Sequence, residues 1–119
     1  MSFNAYPLED MEANVVWLSF WVNNSPENMN RNAEALTWHR VSKVAEESGE
    51  VISEMINLVD GNPRKIGQGD LARLKKELLD VVVAALGAYE HVDHHRGRSL
   101  HDLKDFIQSR VERAKAVGS

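Results

Sequence analysis

Residues 78–89 read LLDVVVAALGAY, twelve residues in a row with a single charge, Asp80. No part of the chain alternates apolar and polar residues over any length, so the run is read as helix rather than strand. It belongs to a helix that follows Asp70, a candidate N-cap, and extends to about His91. A helix that is apolar all round is buried on every side. In a four-helix monomer some of that surface would face water, so the run predicts a homo-oligomer; the alternative is that the chain's own first and fourth helices cover it. Ala84, Gly87 and Ala88 would let a neighbouring helix approach closely.

The segments before and after it also carry the helical period. Residues 8–23 repeat Met11, Val15, Leu18 and Val22, with Trp17 and Trp21 expected to pack in the core. Residues 33–59 carry Val41, Val44, Val51, Met55 and Leu58, with Gly61 as the stop. A last helix starts at Ser99, with Asp102 three residues on in the manner of a capping box, and carries Leu103, Phe106, Ile107 and Val111. Between them lie NNSPENMNRN (23–32), DGNPRKIGQGD (60–70) and HHRGRS (94–99), all rich in turn formers. The expected architecture is all-α: one domain over residues 1–119, a four-helix bundle-like protomer assembling into a dimer or tetramer.

Composition narrows the function. The chain holds 14 Lys and Arg against 18 Asp and Glu, a formal charge of −4, and no cysteine. Disulfides, thiolate metal sites and a cysteine nucleophile are therefore excluded. Residues 1–30 contain four acids and no Lys or Arg, which argues against binding a nucleic-acid polymer along its backbone. No stretch approaches the roughly 20 apolar residues of a membrane span, and no signal segment is evident. A cytoplasmic protein is expected.

The chemistry-bearing pattern is KVAEESGE at 43–50 followed by ELLD at 77–80. Lys43, Glu46, Glu47, Glu50 and Glu54 share one stripe of the second helix, at the edge of its apolar face. Glu77 and Asp80 are neighbours at i and i+3. An ionised Asp80 inside an apolar helix costs several kcal/mol unless compensated. Two facing helices that each present carboxylates would repel one another unless a hard divalent cation sat between them. An oxygen-only donor set favours magnesium, with manganese possible. Other acidic pairs, Glu9 with Glu12, Glu90 with Asp93 and Asp102 with Asp105, sit at helix ends and read as surface.

KVAEESGE followed by ELLD resembles the all-α nucleoside triphosphate pyrophosphatases of the MazG-like group, whose mark is E-E-x-x-E then E-x-x-D. The match covers about residues 38–93. The resemblance implies magnesium-dependent hydrolysis of a nucleoside triphosphate between the α and β phosphates, to the monophosphate and pyrophosphate. It implies a homodimer or homotetramer. Carried over by position, Glu47, Glu50, Glu77 and Asp80 match the metal ligands. Glu46 matches the first acid, which orients or deprotonates the attacking water or helps hold a further metal ion. Arg110 stands where family members often have Lys, and Ala114 near where they have Asn.

Candidates for substrate binding follow from residue type. Lys43 is one turn before Glu47 and either meets phosphate or neutralises the stripe. Arg64, Lys65, Arg110, Arg113 and Lys115 are the other basic groups, and Trp38 with His39 offers an aromatic face for a base. No residue selects a particular base. His91, His94 and His95 are expected to form a solvated helix end, not a zinc site. The competing reading is a non-enzymatic helical interaction module whose acids are a solvated stripe. A di-iron carboxylate bundle ranks last, because its E-x-x-H pairs are missing.

Overall fold

The computed structural model describes residues 7–60 and 68–118, the side chains of residues 60 and 68–70 excepted. Four helices follow in order: α1 Leu8–Asn23, α2 Ala33–Asp60, α3 Gln68–Val92 and α4 Ser99–Gly118. No strand occurs among the described residues. The expected stop at Gly61 and the basic residues Arg64 and Lys65 lie outside them.

The helix ends show which local signals act. Asn32 caps α2, its side-chain oxygen accepting from the Ala35 amide at 2.8 Å. Asp70 does not cap α3, because the helix already begins at Gln68. The capping box expected at Ser99 does not form either. Ser99 Oγ is buried without a partner among the described residues, and the Asp102 carboxylate accepts from the Tyr89 hydroxyl. The start of α4 is capped from α3 instead. Fully buried Glu90 accepts from the amides of Gly97 and Ser99, both at 2.9 Å. The chain reaches that cap through a tight turn in which His94, His95 and Gly97 all take positive φ.

Antiparallel α2 and α3 form the frame. Thr37 bonds His91, the Arg40 side chain lies against Gly87, Glu47 approaches Asp80, and Glu54 pairs with Arg73, so one register runs the length of both helices. α1 lies across the end of this pair and buries polar side chains, Glu12 and Ser19, rather than its aromatics. Trp17 and Trp21 are therefore not core residues; both are well exposed, Trp21 at 61%. α4 is held near its start, where Leu100 is buried and Glu12 accepts from the His101 amide and bonds its ring Nδ1. Every residue from 103 to 118 is exposed, so one chain does not close the fourth side of a bundle.

The apolar run of α3 is only partly covered within the chain: Gly87 and Ala88 are buried, whereas Leu79 is 64% exposed. Asp80 is 38% exposed at its side chain, so it is not the enclosed charge that the sequence suggested. The Cα radius of gyration is 17.6 Å, against about 13.5 Å for a compact domain of this length. No helix among the described residues is long and apolar enough to cross a membrane.

Candidate functional site

The register of α2 and α3 brings three of the expected ligands together. One carboxylate oxygen from each of Glu47, Glu77 and Asp80 lies within 4.8 Å of the others. Glu50 stays outside this group and is exposed, as is Glu46. Glu77 Oε2 is buried and bonded to nothing among the described residues. A buried acceptor with no donor is costly, and a hard cation between the three acids would satisfy it.

Two lysines stand at the rim. Lys76 Nζ lies 2.9 Å from Asp80 and 3.9 Å from Glu77. Lys43 Nζ lies 3.4 Å from Glu46 and 3.7 Å from Glu47. Their partners raise both amines above the ordinary lysine value: the hydrogen bond to Asp80 acts first on Lys76, and that to Glu46 on Lys43.

Glu47 and Asp80 mark one end of a cleft of about 420 Å³ between α1, α2 and α3. Val15, Leu18, Trp21, Val22, Val83 and Ala84 give it apolar walls, and Lys43 lines it beside Glu47. At the other end stand Ser19, Ser25, Glu27, His39, Arg40 and Gly87. Arg40 and Glu47 are seven residues apart on α2, as Asp80 and Gly87 are on α3. The two levels are therefore about 10.5 Å apart.

Arg40 is a group the sequence reading did not single out. It is only 5% exposed. Its Nη1 donates to the Ser19 carbonyl at 3.0 Å, Ser19 Oγ at 3.1 Å and Asn23 Oδ1 at 3.0 Å. No carboxylate compensates it among the described residues, and burial pulls the guanidinium below its usual value. One signal was available: Arg40 shares the apolar stripe of α2 with Val44, Val51 and Leu58, where a charge is out of place.

The proton order around Arg40 can be followed bond by bond. Ser19 gives its hydroxyl proton to the Gly87 carbonyl at 3.0 Å, so His95 Nε2, 2.7 Å from Ser19 Oγ, must be the donor there. The Asn23 oxygen is taken by Arg40, and its amide nitrogen donates to His91 Nδ1 at 3.0 Å. Thr37 donates to the Ala33 carbonyl and accepts from His91 Nε2, each at 3.0 Å. The His91 ring is thus neutral, and burial, followed by nearby Arg40, lowers the proton affinity of both imidazoles. His95 also stacks on Phe20 at 3.9 Å. His91 and His95 are parts of the joint between helices, not the solvated end expected of them; His94 alone is exposed.

The remaining candidates lie apart from the acids. His39 lines the cleft 3.8 Å from Glu27. Trp38 is exposed outside it, in a shallow depression with Glu34, Thr37 and Val41. Arg110 lies over the Phe106 ring at 4.9 Å on the free part of α4, and Arg113 is exposed further along. Within one chain neither arginine contributes to the cleft. Compared with protein-family models, curated proteins and solved structures, the chain matches none.

Proposed function

We propose that this protein is a magnesium-dependent nucleoside triphosphate pyrophosphohydrolase of the MazG-like kind. The observation that carries the reading is the convergence of Glu47, Glu77 and Asp80, with Glu77 Oε2 buried and unpartnered among the described residues and Glu47 and Asp80 at the end of a cleft sized for a small ligand. These three carboxylates would hold the cation, with Glu50 one turn along α2 as the fourth acid. A bound magnesium ion supplies charge neutralisation for the phosphate oxygens and the leaving pyrophosphate. Glu46 is the proton acceptor. Water adds to the α-phosphorus, the bond to the bridging oxygen breaks, pyrophosphate leaves, and the water's proton goes to Glu46. The apolar walls and Trp21 would take the nucleoside and limit water around it.

The test is pyrophosphate release from a panel of nucleoside triphosphates with magnesium. Wild-type protein should release pyrophosphate rather than orthophosphate. Asp80→Asn should lower the rate by more than about a hundredfold while the chain stays folded. Release that is independent of metal, or unchanged in that variant, contradicts the reading.

The same reading includes a homodimer or homotetramer. The chain exposes 8927 Å², against roughly 6,500 Å² for a compact monomer of its mass. The excess is more than the roughly 800 Å² that each partner buries in an ordinary interface. The exposed face of α4, Leu103, Phe106, Ile107 and Val111, and that of α3, Leu79, Val82 and Val83, are what a second copy would cover. Light scattering should give a multiple of 13.4 kDa, and Phe106→Glu should shift it toward the monomer.

A second reading draws support from the rim lysines. Lys76 on Asp80 and Lys43 on Glu47 already neutralise part of the acid group. As a helical interaction module, the chain would show no magnesium-dependent rise in melting temperature.

A further inference from the structure

A buried guanidinium needs a reason, because a cation removed from water without an anion is expensive. Here the charge is held by neutral acceptors, and all three of its hydrogen bonds leave from Nη1. The other terminal nitrogen, Nη2, lies against Gly87, where a Cβ would come within 2.5 Å of it. Only glycine leaves that nitrogen its place, and both residues line the cleft. Ser25 lines the same cleft, and its Oγ is buried and bonded to nothing among the described residues.

From Nη2 and its setting we infer that Arg40 selects the base of the substrate, favouring nucleotides with a carbonyl oxygen at purine position 6 or pyrimidine position 4. The inference rests on the pyrophosphohydrolase reading for its ligand, and the length of the cleft fits. With phosphate held at the Glu47–Asp80 level, the level of Arg40 is about 10.5 Å away, which a nucleoside monophosphate spans from phosphorus to the far edge of its base. Arginine is a donor-only group that cannot give up its proton. A carbonyl edge accepts from it. The amino group of adenine or cytosine at the same position brings a donor to a donor and leaves both unpaired.

Equilibrium binding of nucleoside monophosphates with magnesium tests this without turnover. Inosine against adenosine monophosphate, and uridine against cytidine monophosphate, are pairs that differ at this group and in the proton on the adjacent ring nitrogen. The carbonyl member should bind roughly ten- to a hundredfold tighter, the range for a hydrogen bond to a charged group. Arg40→Gln, whose amide both donates and accepts, should bring each ratio below about threefold. Should that variant fail to fold, Gly87→Ala decides, since its methyl displaces Nη2 at the flexible end of a side chain and should shrink the same ratios. Ratios near one in the wild type, ratios that survive in a folded variant, or no nucleotide binding at all overturn the inference. Selective binding without pyrophosphate release would defeat the hydrolase reading and leave this one standing. Release from all triphosphates alike would do the reverse.

Discussion

Two levels of the α2–α3 pair, seven residues apart, treat charge in opposite ways. At the upper level a single cation, Arg40, is buried among Ser19, Asn23 and Gly87, and its Nη1 donates to neutral acceptors. At the lower level Glu47, Glu77 and Asp80 converge beside two rim lysines, with a buried Glu77 oxygen that no described residue satisfies. The upper level holds one charge among dipoles; the lower one gathers like charges. Fixed dipoles can hold one charge in place, whereas three like charges need an opposite one.

The contrast is broken most severely at Ser19. It is fully buried, donates to Gly87 and accepts from Arg40 and His95. Ser19→Ala should destabilise by about 3 kcal/mol in denaturant unfolding, because it strands several polar groups at once. Glu90 gives a second comparison, since it too is a buried acid. Both of its oxygens accept backbone amides, so Glu90→Gln, which offers one acceptor in place of two, should cost about 2 kcal/mol and loosen α4. At Glu77 the sign should reverse. Without metal, Glu77→Gln removes one of three like charges and lets an amide donate to its neighbours, raising stability by about 1 kcal/mol in the same titration. An equal loss at Glu77 and Glu90 would erase the distinction between the two acids.

The smallest effect is on pH. Burial first, then Arg40, pushes the proton affinity of His91 and His95 below the usual imidazole range, while in the unfolded chain each protonates near pH 6.5. Besides Arg40, His94 opposes protonation at both rings, and Glu90 favours it at His95. The unfolded state therefore binds more protons as pH falls through 6.5. Stability from these rings is complete above that point and declines below it, until the folded imidazoles protonate too. Melting temperature should drop by a few degrees from pH 7.5 to 5.5, and the drop should shrink in His95→Gln.

Much of this was legible in the sequence because helices declare themselves through local period and punctuation. The four segments, and the meeting of Glu47 with Glu77 and Asp80, follow from spacing and an antiparallel hairpin. The inward face of α1 was not legible, since its aromatics are more hydrophobic than Glu12 and Ser19, yet the polar pair is what the joint buries. The capping of α4 by Glu90 was hidden for a similar reason. Ser99 and Asp102 have the right types at the right spacing, but Glu90 reaches the amides first. Arg40 could have been noticed as a charge on an apolar stripe, though its acceptors come from a helix about 20 residues earlier, which no local rule connects.

The most direct test of the account is calorimetric titration of magnesium into wild-type protein and Glu77→Gln. Saturable binding in the wild type that is lost in the variant, with a matching loss of the metal-induced rise in melting temperature, is the predicted result. No saturable binding, or the same binding in both, would contradict the claim that these carboxylates are arranged around a cation.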